Sequence, residues 1–226
     1  MKIVCFGDSL TWGKYGGSYV DALASLMPEH TFINEGIGGN TVVNLLRRVE
    51  TDVIAHNPNA VLIMVGGNDA NSFLYPPTRP YYTKVQQLTD GFVSPEQFQQ
   101  TYRELLTVLQ AHHVLTLVAL EPAEYSPQQV ENLERYNALA AETAAALNIP
   151  VLDLHAGLLP DTVKDRAPIG IEFILTIGAR TKKGWNDYET VRVRDGFTYT
   201  FDGLHFTPDG AKRAAALIAD FIRAHV

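Results

Sequence analysis

One cysteine, Cys5, stands in the 226 residues. An internal disulfide is therefore excluded, and nothing in the cysteine usage points to an oxidising compartment. Cys5 lies inside an apolar run and reads as a small core group. Basic residues are also scarce. Eighteen Lys and Arg stand against 25 Asp and Glu, a net charge of −7, and no dense basic run interrupts this balance. Nucleic acid is therefore not an expected partner. No apolar run approaches the roughly 18 residues needed to cross a bilayer. The N-terminal apolar stretch stops at Gly7-Asp8, too soon for a signal peptide. These absences predict a soluble, cytoplasmic chain without a membrane span. There is no internal repeat and no low-complexity tract. No spacing of His, Asp and Glu matches a metal site, and neither metal nor cofactor is expected.

Hydrophobic residues make up 46% of the chain, enough for a sizeable core. Short runs rich in β-branched residues alternate with helical patterns. Residues 2–6 are the first predicted strand, and a helix follows over 18–27. Residues 31–34 are the second strand. Val42, Leu45, Leu46, Val49 and Val53 recur at helical spacing, and the loop His56–Ala60 ends that helix. Residues 60–65 are apolar throughout, as in a strand covered on both faces. Ser94-Pro95 predicts a helix start, with a hydroxyl cap, proline in the first turn and Gln97 placed to close a capping box; this helix runs to Gln110. A strand over 114–120, an Ala-rich helix over 128–147 and a strand over 149–154 follow. The last helix starts at Thr207-Pro208. Five strand–helix alternations without a composition break predict one doubly wound α/β domain over 1–226. Ligands in such sheets bind beyond the carboxyl ends of the strands.

Two segments break the alternation. Residues 69–93 read as a long loop carrying Phe73, Tyr75, Tyr81 and Tyr82 among Pro76, Pro77 and Pro80. Within 161–201, two alternating stretches read as a β-hairpin insertion before the last helix. Both follow strand ends and should overhang the ligand side, which makes Phe73 and Tyr75 candidates for the pocket wall. Arg180, Lys182, Lys183, Arg192 and Arg194 make the second segment locally basic, either as a solvated ribbon or as a contact for an anionic group.

Four loops carry residues with chemistry. Ser9, just past the first strand in FGDSLTWG, is either a turn residue or a nucleophile in need of a base. Of seven histidines, His205 alone follows an acid in a tight DGLH turn, so that Asp202 can reach one imidazole nitrogen while the other points outward. His155, after the fifth strand, is the weaker alternative. NEGIGGNT, 34–41, and VGGND, 65–69, supply backbone N–H groups and the Asn68 amide as donors to an oxyanion, although glycine after a strand is also ordinary turn chemistry. Trp12 and Tyr15 either line an acyl pocket or pack the following helix. Asp8 and Asp69 read as braces of their loops.

Taken in order, the four blocks resemble the SGNH hydrolases, also called GDSL esterases/lipases: FGDSLTWG with Ser9, NEGIGGNT with Gly39 (Gly38 being adjacent), GGND with Asn68, and DGLH with Asp202 and His205. The resemblance implies a three-layer α/β/α, flavodoxin-like fold with a five-stranded parallel sheet. It implies cofactor-free hydrolysis of esters or thioesters of small molecules by a Ser9–His205–Asp202 triad, with Ser9, Gly39 and Asn68 as the oxyanion hole. No exposed apolar lid is visible in the sequence, which leans the expectation toward short acyl chains. An acyltransferase with the same triad and a non-catalytic flavodoxin-like binding domain are the alternatives. Leaving group and oligomeric state are not given.

Overall fold

The computed structural model describes the backbone of residues 1–226 and every side chain except that of Thr181. Five parallel strands form one sheet: β1 (Lys2–Gly7), β2 (Thr31–Gly36), β3 (Ala60–Met64), β4 (Leu115–Ala119) and β5 (Val151–Leu152), in the order β2-β1-β3-β4-β5. Ile3 pairs with both Phe32 and Ala60, and Phe6 with both Glu35 and Ile63, so β1 is bonded on each edge.

The unbroken apolar runs of β1 and β3 follow from coverage on both faces. Side chains alternate across a strand. Val4, Phe6, Val61 and Ile63 join one core, and Ile3, Cys5, Leu62 and Met64 the other. The first core is closed by α3 (Val42–Asp52), α6 (Pro95–Ala111) and α7 (Pro127–Ala146). The second is closed by α2 (Tyr19–Leu26), α8 (Leu154–Leu158) and α11 (Pro208–His225). Each core buries whole side chains, including Phe98 and Leu105 on one side and Tyr19 and Ile218 on the other. Among the described residues, no helix is long and apolar enough to cross a membrane.

Helix starts follow the predicted chemistry. Ser18, Ser94, Ser126 and Thr207 each accept a backbone N–H of the first turn, and Pro95, Pro127 and Pro208 stand in that turn, where a missing N–H costs nothing. The fifth strand is shorter than its apolar run predicts. Only Val151 and Leu152 pair with β4, because Asp153 turns away to accept the Ala156 N–H and cap α8.

Both irregular segments are helical, which corrects two expectations. Residues 69–93 hold most of α4 (Gly67–Leu74), a 3₁₀ turn (Pro76–Thr78) and α5 (Arg79–Lys84). The prolines sit at the first turns of the last two, where they start helices instead of breaking them. The predicted β-hairpin in 161–201 is absent. It is replaced by α9 (Ile171–Lys182) and α10 (Tyr188–Asp195). Short apolar runs fit either period. Here the helical register wins, because it puts Phe173 edge-on to Tyr125 with Ile169, Tyr75 and Phe197 in a third apolar cluster. Gly196, at φ +70°, ends α10 by donating its N–H to the Arg192 and Val193 carbonyls, a left-handed cap that glycine adopts without strain.

The remaining helix, α1 (Ser9–Trp12), is a single turn beyond β1. In the order 2-1-3-4-5 the chain adds β2 on one side of β1 and β3 to β5 on the other, so the direction of strand addition switches between β1 and β3. At that point the loops after the two strands diverge and leave a crevice.

Candidate active site

Four loops meet at this crevice. Asp8 caps α1 through the Leu10 N–H (2.9 Å) and sets Ser9 at the first position of the turn. From the far end of the chain, the Thr200–Phe206 loop brings His205 to it. His205 Nε2 lies 2.9 Å from Ser9 Oγ, across 196 residues of sequence. His205 Nδ1 lies 2.8 Å from Asp202 Oδ2. Asp202 Oδ1 meanwhile accepts the N–H groups of Leu204 (3.0 Å) and His205 (2.7 Å), which fixes the carboxylate against the ring. With Nδ1 donating to Asp202, Nε2 is the acceptor that faces the serine hydroxyl. Burial works against protonating His205, but the charges of Asp202 and, further off, Asp8 outweigh it and hold the imidazole above its ordinary range.

The donors form the second half of the site. Gly39 and Asn68 line the same cavity as Ser9 and His205. Gly39 has φ +79°, and a Cβ there would stand 2.1 Å from the Tyr81 hydroxyl, so both conformation and space require glycine. Among the described residues, the N–H groups of Ser9 and Gly39 donate to no protein acceptor. Asn68 is held at both ends: its amide nitrogen donates to Asp8 Oδ2, and its oxygen accepts the Tyr82 hydroxyl (3.0 Å). One amide hydrogen remains for a ligand.

Several supports for these loops carry no signature in the sequence. The Arg48 guanidinium donates to the carbonyls of Gly7 and Glu35 and to the Asn40 side chain, tying the loops after β1 and β2 together, and pairs with Asp52. Buried Glu124 accepts the N–H groups of Thr198, Tyr199 and Thr200 and the Thr200 hydroxyl, fixing the segment that leads to Asp202. Asp69 accepts the Val42 N–H with both oxygens and so braces α3, as expected of a loop brace. Glu121, just past β4, accepts the Gly67 N–H and lines the same cavity as Asp8, whose charge adds to the upward shift of its carboxyl. Arg48, Glu124 and Glu121 are lone polar residues in otherwise ordinary stretches. Spacing alone could not separate them from solvated surface groups.

The cavity in front of Ser9 measures about 340 Å³. That is a ligand-sized space. Tyr15 lines it and stands edge-on to His205, with centroids 5.1 Å apart. Trp12 does not line it; it packs edge-on behind Tyr15, where its ring covers Gly38. Phe73 and Tyr75 also lie outside the lining. Helix α4 turns Phe73 toward Phe92, and Tyr75 is buried in the cluster with Ile169 and Phe197. Tyr81 and Tyr82, on the next helix, take the wall positions instead. His155 is buried on α8 and faces Glu134 at 3.6 Å, outside the cavity. The opposite wall is α9, with Phe173, Ile174, Leu175 and Ile177. An apolar wall is therefore present, and the ground given above for short acyl chains, its absence, falls away.

Residues 5–213 match the GDSL-like Lipase/Acylhydrolase family. An acetylxylan esterase of Geobacillus stearothermophilus is 27% identical over 177 residues, 69% of this chain and 76% of that protein. Among solved structures, a lipase/acylhydrolase from Enterococcus faecalis superposes with a TM-score of 0.63 at 21% identity, covering 99% of this chain and 95% of that one. Axe2, an acetylxylan esterase from Geobacillus stearothermophilus, gives 0.66 at 21% identity, covering 98% and 93%. Both share the fold of parallel sheet and flanking helices. With a family match that runs from β1 into the last helix, this chain belongs to the GDSL-like Lipase/Acylhydrolase family and is a carboxylic ester hydrolase.

Proposed function

We propose that the chain hydrolyses esters through an acyl-enzyme on Ser9, with His205 as base and Asp202 as its orienting acid. The observation that carries this reading is the unbroken hydrogen-bond chain from Ser9 Oγ through His205 to Asp202. His205 Nε2 takes the hydroxyl proton as Ser9 Oγ attacks the acyl carbon. The carbonyl electrons move to oxygen, and the oxyanion accepts the Ser9 and Gly39 N–H groups and the remaining Asn68 amide hydrogen. The imidazolium, stabilised by Asp202, then protonates the leaving alkoxide as the C–O bond breaks. Water repeats the two steps and releases the acid.

The substrate class within this reading is a short acyl group on a larger leaving group. The similarity to an acetylxylan esterase supports the short acyl group. A cavity of about 340 Å³ leaves room beyond an acetyl for the alcohol portion. The test uses nitrophenyl esters from acetyl to decanoyl with native protein and Ser9→Ala. Ser9→Ala should lose on the order of 10⁴-fold or more in kcat and should not react with a fluorophosphonate probe. Unchanged turnover in pure Ser9→Ala protein would sink the serine mechanism. A kcat/KM maximum at octanoyl or longer would overturn the short-chain reading and leave Ser9 in place.

A further inference from the structure

The serine mechanism uses Asn68 as a donor but does not explain what aims it. We propose that Glu121 is a positioning residue of the oxyanion hole: its neutral carboxyl donates its proton to the Asp8 carboxylate, and through Asp8 and Gly67 it fixes the Asn68 amide toward the acyl oxygen. This rests on the reading of Ser9 and Asn68 above.

The hydrogen bonds form a chain that the proposed Glu121 proton closes into a ring. Glu121 sits at the carboxyl end of β4 and is 2% exposed. Its Oε2 accepts the Gly67 N–H, at the start of α4. The next residue, Asn68, donates to Asp8 Oδ2, and Asp8 and Glu121 line the same cavity, with Glu121 Oε1 left without a partner among the described residues. The loops after β1, β3 and β4 are thus locked together through two side-chain carboxyls. The Tyr82 hydroxyl holds the Asn68 oxygen, so the amide cannot rotate without breaking a part-buried hydrogen bond.

Two buried carboxyls in contact cannot both be ionised without a large electrostatic cost. Asp8 keeps the charge, because the Leu10 N–H and the Asn68 amide both point at it and His205 faces it. Glu121 has the Gly67 N–H as its one donor. Among the described residues, no N–H or hydroxyl faces its Oε1, which is sealed from solvent. A proton of its own, shared with Asp8, satisfies the pair. The other groups facing Glu121 agree. Asp69 of α4 raises the cost of a further charge, and Tyr82 of α5 and Tyr102 of α6 bring no cation. Burial pushes the Glu121 carboxyl well above the ordinary range, with the Asp8 charge adding to the shift.

The arrangement matters for catalysis in sign. A single negative charge on Asp8 favours the imidazolium that forms on His205. A second charge on Glu121 would stand beside Gly67 and Asn68 and oppose the oxyanion. The proton keeps that charge away and at the same time supplies the bond that orients Asp8.

The experiment reads the proton and the rate separately. In protein with ¹³C-labelled Glu carboxyls, one Glu signal should remain that of a protonated acid at pH 7. It should be absent from Glu121→Gln and present in Ser9→Ala, so the carboxyl pair is scored even where the serine reading fails. In kinetics, Glu121→Ala should lower kcat about tenfold or more, as partial loss of one oxyanion donor, with KM little changed. Glu121→Gln, which can still donate to Asp8 and accept from Gly67, should restore kcat to within about threefold of native. Native kcat should also fall at high pH where Glu121 ionises, and Glu121→Gln should lack that fall. All Glu carboxyls ionised at pH 7 would overturn the proposal. So would an alkaline limb identical in native and Glu121→Gln protein, or a Glu121→Ala kcat equal to native.

Discussion

Ser9 Oγ is an ordinary alcohol until a neutral imidazole stands next to it, and under the proposed mechanism its reactivity is set by the protonation of His205. The sign follows from the direction of the shift. Burial alone would lower the His205 pKa, but Asp202 and Asp8 raise it above the ordinary range near 6.5. A base must be neutral to accept the Ser9 proton. Activity is therefore lost as pH falls through this raised value, and the acid limb of kcat/KM should have its midpoint above about 6.5. Asp202→Asn removes the largest raising charge, so it should move that limb to lower pH while cutting kcat by on the order of 10⁴, because the tautomer is no longer fixed. A pH–rate profile of both proteins decides the matter. An acid limb at or below that of free imidazole in the native protein would contradict the charge balance described here.

Among the elements, α9 decides what fits beside Ser9. It carries Phe173, Ile174, Leu175 and Ile177 on the cavity wall, while Lys182 stands at the end of the same wall. Leu175 is 60% exposed at the rim of the cavity. Phe173 is held by Tyr125, which in turn donates to the Ala167 carbonyl (2.8 Å). Loss of the Phe173 ring removes apolar contact from the ligand and not from the reacting atoms. Phe173→Ala should therefore raise KM for an ester with a bulky apolar alcohol by about tenfold or more, with kcat within a factor of two or three, and should change methyl acetate hydrolysis little. Steady-state kinetics on the two substrates provides the check; equal effects on both would remove α9 from the wall. The sequence could not settle this element. Its residues fit alternation and helical spacing alike, and the apolar cluster around Tyr125 that chooses between them is drawn from distant segments.

For the whole molecule, the site is a property of the sheet. Parallel strands in the order 2-1-3-4-5 bring the ends of β1, β2 and β3 to one edge, and α11 returns the chain so that the loop before it faces β1. Arg48 shows how the scaffold and the site share support. It lies over the Phe6 ring and bonds carbonyls of two strand ends, one of them Gly7, two residues before Ser9. Arg48→Ala removes the guanidinium donor from both carbonyls in a partly buried place and leaves the Gly7 carbonyl with the Ile37 N–H as its donor. Urea denaturation should show a loss of about 2–4 kcal/mol at neutral pH. Activity at temperatures well below unfolding should fall as well, because the Ser9 turn loosens. Unchanged stability would show that water replaces the guanidinium without cost.

Much of this was legible from residue types alone. Continuous β-branched runs marked β1, β3 and β4, since a strand covered on both faces has no polar side to show. Ser-Pro and Thr-Pro pairs marked helix starts, since capping is local chemistry. The four short blocks marked the candidate residues. The long-range decisions were not local. Whether 161–201 formed strands or helices depended on which face found an apolar partner. That Trp12, Phe73 and Tyr75 lie outside the cavity, and Tyr81 and Tyr82 on its wall, depended on how short helices rotate against the sheet. The roles of Arg48, Glu121 and Glu124 depended on which distant carbonyls, amides and acids stood opposite them. Periodicity and capping act over a few residues and are written in the chain. Burial, charge pairing and the meeting of Ser9 with His205 are set by contacts between residues far apart in sequence, and these exist only once the sheet has closed.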